Sequence, residues 1–136
     1  MTTKNILTAL LFASVCLLSC KKYEEGPGLS FRSKEARLAN TWKVVSCTVD
    51  GTDYTSFYTN NNYSETYEEG GNYSYSSNSG SGTGKWQFQA DKEEIYRSAV
   101  AGQPTRTLTI LKLKDKAFWY YFKDGNSKYE FHLEEK

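Results

Sequence analysis

The chain offers few side chains of the types that carry out catalysis or bind metals. His132 is its single histidine. A transition-metal site needs several clustered ligands, and a serine, threonine or cysteine nucleophile needs a base within hydrogen-bonding reach. Strand alternation near the C-terminus places His132 on an outward face beside Glu130 and Glu134, where we interpret it as a solvated surface residue. The sequence therefore predicts neither a metal site nor a cofactor.

Neighbouring carboxylates are the other feature that could support acid–base chemistry. Adjacent residues in a strand point to opposite faces, so such pairs cannot act on one substrate group unless a turn bends the chain. The pairs are Glu24-Glu25, Glu68-Glu69, Glu93-Glu94 and Glu134-Glu135. The glycine-rich segment from Gly80 to Gly84 lies between predicted strands, whereas a phosphate-binding loop joins a strand to a helix. We therefore predict that the protein is not an enzyme.

Cys20 is the residue whose surroundings specify a covalent reaction. The segment Leu17-Leu18-Ser19-Cys20 resembles the lipobox of bacterial lipoproteins, with an apolar residue three positions before the cysteine and a small residue directly before it. In that family the thiol receives diacylglycerol and the chain is cut just before the cysteine. The resemblance implies that Cys20 is the lipid attachment site, bearing acyl chains such as palmitate. The alternative is an ordinary secretory signal that contains a cysteine.

The residues before Cys20 have the layout of an export signal. Lys4 precedes an apolar run from Ile6 to Leu18, and a small residue follows it, as is typical of a secretory signal peptide. The run is shorter than the roughly 20 apolar residues that span a membrane. We predict a signal peptide at 1–19, a lipidated tether at 20–32 and a folded domain at 33–136. Acyl chains on Cys20 would anchor the protein to the cell envelope, and we expect the outer membrane.

The charge balance and the number of cysteines argue against nucleic-acid binding and against disulfide or thiol chemistry. The chain has 17 Lys and Arg residues and 16 Asp and Glu residues, and the single charge before Cys20 is Lys4. The mature part is therefore neutral overall, and without a basic block we do not expect nucleic-acid binding. With Cys16 removed and Cys20 acylated, Cys47 cannot form a disulfide within the chain. We interpret it as a small core residue rather than a reactive thiol.

The composition favours strands and turns. The chain contains 11 Tyr, 7 Phe and 3 Trp residues among many Gly, Ser, Thr and Asn residues. One short helix is predicted at Ser33–Ala39, with Ser33 as its N-cap. Residues 50–62 are predicted to be a polar loop, and 77–84 a flexible one. Eight strands are predicted, at Trp42–Val49, Tyr63–Glu68, Asn72–Ser77, Trp86–Phe88, Ile95–Arg97, Thr105–Leu113, Ala117–Phe122 and Tyr129–Glu134.

Short turns between consecutive strands predict an antiparallel meander. Closing such a sheet removes its exposed edges. We therefore predict an all-β, eight-stranded antiparallel up-and-down barrel, with a two-sheet β-sandwich as the alternative.

Two hairpins indicate which side chains share a face. A three-residue loop opposes Tyr67 to Tyr75 and segregates the hairpin tyrosines from the serines and threonine. The tyrosines are Tyr63, Tyr67, Tyr73 and Tyr75. The Asp124-Gly125 turn predicts a second hairpin, in which Tyr120 opposes Tyr129 and Phe118 opposes Phe131. We assign the aromatic faces to the core.

These elements resemble the lipocalin-like domains of Gram-negative envelope lipoproteins. The resemblance covers Ser33 to Glu134 and rests on the short helix, on Asn40-Thr41-Trp42 at the start of the first strand, and on eight up-and-down strands. Lipocalins carry a Gly-x-Trp motif there. Trp42 matches its tryptophan, and Asn40 replaces its glycine. The resemblance implies that Trp42 packs against a helical plug and helps to close one end of the barrel.

Two binding hypotheses remain open. In the first, the barrel takes a small apolar or amphipathic molecule, because aromatic residues supply apolar area and tyrosine hydroxyls fix orientation. The expected lining residues are Trp86, Phe88, Tyr67, Tyr75, Phe118, Tyr120 and Phe131. In the second, the barrel is filled and docks another envelope protein through an exterior patch of Leu108, Ile110, Trp119 and Tyr121. A β-bulge near Ile110 would instead reset the strand phase and bury Leu108 and Ile110.

Overall fold

The computed structural model describes residues 32–136. The predicted signal peptide, Cys20 and the tether up to residue 31 lie outside the described residues. The described part contains two short helices and nine strands. They are α1 Lys34–Leu38, β1 Thr41–Val49, β2 Thr52–Asp53, α2 Thr55–Asn60, β3 Ser64–Tyr67, β4 Asn72–Ser77, β5 Gly80–Gln89, β6 Glu94–Arg97, β7 Arg106–Leu113, β8 Ala117–Asp124 and β9 Ser127–Glu135.

The sheet closes on itself through β1, which pairs with both β3 and β9. Every strand pairs antiparallel with its neighbour, and β2 adds a short two-residue ladder to the far end of β1. Eight strands therefore form a continuous ring without a free edge along its length. This confirms the predicted eight-stranded antiparallel up-and-down barrel, and the two-sheet sandwich does not form.

One end of the barrel is closed by α1. Ser33 caps the helix, because its hydroxyl accepts a hydrogen bond of 3.1 Å from the amide of Ala36. Leu38, at the end of α1, is fully buried. The indole Nε1 of fully buried Trp42 donates a 2.9 Å hydrogen bond to the carbonyl of Leu38. The predicted helix is therefore present, and Trp42 joins it to the first barrel strand.

Two segments predicted to be loops contain regular structure. Residues 50–62 include β2 and α2, and Tyr58 of α2 packs edge-on against Phe131, with ring centroids 5.0 Å apart. The predicted loop at 77–84 is mostly strand, because β5 begins at Gly80. A Cβ atom at Gly82 would approach the Tyr75 ring to 2.8 Å. Glycine is therefore required for close packing in β5 rather than for flexibility.

Bulges interrupt the alternation of β1 and β7. The β7–β8 register shifts between Ile110 and Lys112, leaving Leu111 47 % exposed while Leu108 is fully buried and Ile110 packs against the core. In β1 the shift occurs after Val44 and leaves Val45 exposed. The bulge near Ile110 is therefore present, and it takes Leu108 and Ile110 off the exterior face.

The predicted faces are confirmed, but two predicted registers are wrong by two residues. Tyr67 opposes Tyr73 rather than Tyr75, and Tyr120 opposes Phe131 rather than Tyr129. A slip of two residues keeps every side chain on its own face, since strand side chains alternate with period two. Both turns have the expected length but lie one residue from the position that the predicted pairing requires. The first turn is residues 69–71, between Glu68 and Asn72, and the second is residues 125–126, between Asp124 and Ser127.

Candidate ligand-binding site

A cavity of about 360 Å³ opens at the end of the barrel that carries α2. Its walls are largely aromatic, and the polar side chains deepest in it are almost completely buried. The aromatic wall residues include Tyr58, Tyr63, Tyr75, Phe122, Tyr129 and Phe131. The buried residues at the base are Glu65, Arg97 and Tyr120. The cavity thus combines apolar walls with a polar floor.

Glu65 is the centre of that floor and has no exposed surface. Its Oε1 accepts hydrogen bonds from Tyr120 at 2.7 Å, from Tyr63 at 3.0 Å and from Arg97 Nη1 at 3.2 Å. Its Oε2 accepts one from Tyr67 at 2.9 Å. Four donors converge on the carboxyl group, as expected for an ionised carboxylate, which can only accept.

Arg97 neutralises this buried carboxylate. Its side chain is 5 % exposed and forms the 3.2 Å ion pair with Glu65. The same Nη1 donates to the hydroxyl oxygen of Tyr67 at 3.2 Å. The guanidinium lies over the Tyr73 ring, 4.5 Å from its centroid, where the ring face attracts a cation. A buried ion pair needs such extra contacts to offset its desolvation.

A loop between β6 and β7 connects this floor to the cavity mouth. Gln103 accepts a 3.2 Å hydrogen bond from Tyr73 and donates a 3.1 Å hydrogen bond to the hydroxyl oxygen of Tyr63. The loop is closed by backbone pairing between Val100 and Gln103, and the Tyr75 hydroxyl donates to the carbonyl of Ala101. These bonds hold the rim of the cavity against its base.

The tyrosines around Glu65 are held in the neutral form. Burial raises the pKa of Tyr63, Tyr67 and Tyr120 well above the ordinary value, the negative charge of Glu65 raises it further, and Arg97 partly opposes the shift. Because these hydroxyls stay protonated, they serve as hydrogen-bond donors to Glu65.

Sequence reasoning missed both charged residues of the floor. Glu65 lies between Tyr63 and Tyr67 with the same alternation, and Arg97 is two positions from the buried Ile95. The sequence signal that could have identified both residues is a charged side chain at a position where strand alternation predicts an inward-facing one. Strand alternation places Glu65 on the same face as Tyr63 and Tyr67, because it lies two residues from each.

The structure separates the residues predicted to line a ligand site into two groups. Tyr75, Tyr120 and Phe131 line the cavity. The others pack toward the α1 end, in contacts that do not face the cavity. These are Trp86 and Phe88, with ring centroids 5.2 Å apart, and Tyr67 and Phe118, 5.7 Å apart. Tyr67 still reaches Glu65 through its hydroxyl.

The four residues of the predicted exterior patch do not form one surface. Leu108 and Ile110 turn inward because of the bulge. Trp119 lies on the outer face, stacked on His132 with centroids 4.0 Å apart, and Lys112 Nζ lies 4.2 Å from the Trp119 ring centroid. The partly exposed His132 also bonds to Glu130 at 3.0 Å. The predicted four-residue patch is therefore wrong. Only Trp119 and Tyr121 of the four lie on the outer face, and the side chains of His132, Lys112 and Lys128 partly cover them.

Within residues 32–136, no group of three or more His, Cys, Asp or Glu side chains could hold a metal ion. No helix in the same range is long and apolar enough to cross a membrane. Cys47 is fully buried, and desolvation raises its pKa to about 12.

The fold and the cavity define a class of protein: a closed antiparallel β-barrel with an aromatic interior, consistent with a lipocalin-like fold. No protein-family model matches the chain, and no curated protein has significant sequence similarity to it.

Proposed function

We propose that this chain is a lipid-anchored envelope protein with a lipocalin-like barrel that binds a small amphipathic ligand without catalysis. The observation that carries the proposal is the open cavity of about 360 Å³ at the α2 end. Small-molecule sites are typically concave, about 300–1,000 Å³, mostly apolar, and furnished with a few polar groups that fix orientation. The aromatic walls and the buried polar floor meet this description.

The cavity supports ligand binding over the alternative of a filled barrel that docks another envelope protein. A docking role through the exterior patch needed four neighbouring exposed apolar residues. Leu108 is fully buried, and Trp119 is partly covered by His132 and Lys112. The four positions named for that patch therefore do not form the continuous apolar surface on which the alternative depended.

Native mass spectrometry of the purified protein tests the binding proposal. We expect a population whose extra mass is released as a small molecule on denaturation. Ser77→Trp should reduce that population, because Ser77 lines the cavity and the indole would occupy it. Ser76→Trp is the matched control, since Ser76 is the neighbouring exposed residue of β4. An unloaded protein, or equal loading in both variants, would count against the proposal.

The anchor is a separate part of the proposal and rests on the lipobox-like segment that ends at Cys20. We expect alkyne-tagged palmitate to label the protein in bacteria and the protein to fractionate with the outer membrane. Cys20→Ser should abolish labelling, because the acylated thiol is lost. Cys16→Ser, four residues earlier, should retain it. An unlabelled mature chain that starts at another residue would contradict the anchor.

A further inference from the structure

Two arginines stand side by side in the cavity. Arg97 of β6 and Arg106 of β7 are directly opposed in the strand register, and both line the cavity. Each guanidinium also stacks on an aromatic ring, Arg97 on Tyr73 at 4.5 Å and Arg106 on Phe122 at 4.3 Å from the ring centroid. Opposed like charges on one face of a sheet repel each other unless an anion lies nearby.

The anions nearby do not balance this pair. Glu65 is the one carboxylate among the described residues that line the cavity, and it pairs with Arg97. Arg106 pairs at 3.1 Å with Asp124, whose side chain is 56 % exposed, whereas that of Arg106 is 18 % exposed. Water screens an exposed partner, so this contact compensates Arg106 weakly. Among the residues that line the cavity, two arginines therefore face one carboxylate, and Asp124 offsets the excess positive charge from the exposed side.

The hydrogen-bonding groups that remain unused at the floor of the cavity also favour an anionic ligand. Three of the four bonds to Glu65 use the hydroxyl protons of Tyr63, Tyr67 and Tyr120. Arg97 makes its two hydrogen bonds through Nη1, so within residues 32–136 its Nε and Nη2 have no acceptor. A guanidinium has five N–H donors and no acceptor. The charged hydrogen-bonding groups left for a ligand at the floor are therefore the unused N–H donors of Arg97.

We propose that the ligand is an amphipathic monocarboxylate, with its carboxylate held between Arg97 and Arg106 and its apolar part against the aromatic walls. This inference rests on the proposed binding function and specifies the class of ligand. A planar carboxylate matches the guanidinium fork and can be bound by two parallel N–H donors. One negative charge also matches the excess of one positive charge among the residues that line the cavity, whereas an ammonium group would meet two guanidinium groups of like charge.

Isothermal titration calorimetry of the purified protein with three ten-carbon probes tests the inference. The probes are decanoate, decanol and decylammonium, which share an apolar chain and differ in the head group. We expect decanoate to bind at least about tenfold more tightly than decanol, because its charge-assisted bonds to guanidinium are roughly twice as strong as neutral ones. Decylammonium should bind more weakly than decanol.

Two matched variants locate the effect. Arg106→Met should remove the preference for decanoate over decanol, because it deletes one arm of the site and keeps a long apolar side chain. Lys123→Met is the control, since it removes a positive charge from an exposed position of β8 and should retain the preference. Near-ultraviolet circular dichroism checks that both variants keep the barrel.

The outcomes separate this inference from the function on which it rests. Equal affinity for decanol and decanoate, or a preference that survives in Arg106→Met, overturns the carboxylate assignment and leaves ligand binding intact. If none of the three probes binds and native mass spectra show no bound molecule, both proposals are contradicted.

Discussion

At the scale of single residues, the unusual feature is a charged group at the centre of a small aromatic core. Glu65 has no contact with solvent, yet its two oxygens accept four hydrogen bonds. Arg97 supplies the opposite charge from 32 residues away in the chain. Removing one member of such a pair leaves the other buried and unpaired, which is far costlier than losing a surface contact.

Glu65→Gln tests this arrangement. We expect the free energy of unfolding to fall by about 3–5 kcal/mol, because Arg97 loses its counter-charge and an amide donor faces the tyrosine donors. The measurement is the urea unfolding midpoint. Glu134→Gln, an exposed change in β9, is the control and should stay within about 0.5 kcal/mol. Equal midpoints for the two variants would show that the ion pair contributes nothing to stability.

At the scale of elements, the bulges determine which apolar residues reach the core. Leu108 and Leu113 are both buried in β7, although they are five positions apart and strict alternation would send them to opposite faces. The extra residue at Leu111 corrects the phase between them. Trp42 and Cys47 in β1 show the same spacing and a bulge at the corresponding point. These bulges are therefore part of how the barrel fills its interior.

Deletion of Leu111 should preserve the buried face of β7. It leaves Leu108 and Leu113 four positions apart, so regular alternation directs both side chains inward without a bulge. Leu108→Ala, which removes a fully buried side chain, should cost about 2–5 kcal/mol. Urea unfolding compares the two variants with the unmodified protein. A deletion as damaging as Leu108→Ala would show that the barrel needs the bulge itself and not only the phase that it corrects.

At the scale of the whole molecule, the barrel encloses phenol and thiol groups in their neutral forms. Burial raises the pKa of Cys47 from 9.0 to about 12 and that of Tyr58 from 10.0 to about 12. The tyrosines around Glu65 shift in the same direction. All these groups hold their protons more tightly when the protein is folded than when it is unfolded.

The barrel should therefore unfold cooperatively at alkaline pH. A raised folded-state pKa contributes stability that is complete below the unfolded value and is lost as pH rises toward the folded value. For Cys47 and Tyr58, that window runs from about pH 9 to about pH 12. We expect the buried tyrosinate absorbance to appear together with the loss of near-ultraviolet circular dichroism. Tyrosines that ionise gradually while the dichroism persists would contradict this prediction.

The local pattern of the sequence determined most of the fold. Period-two alternation located a segment of each of the eight barrel strands and the aromatic inward faces of two hairpins, and Ser33 marked the start of α1. These features depend on neighbours within a few residues, which the chain itself displays. The registers of two hairpins were wrong because each turn lies one residue from its expected position, which shifts the pairing by two residues without changing any face.

Only the tertiary structure showed which inward residues meet. Glu65, Arg97 and Tyr120 come from three separate strands, and their contact depends on closure of the sheet between β1 and β9. No local sequence pattern determines which of these residues come into contact, because their relative positions depend on the register of every strand pair around the barrel. The sequence by itself determined which aromatic residues face inward, and closure of the barrel decided which of them line the cavity and that a buried ion pair forms its floor.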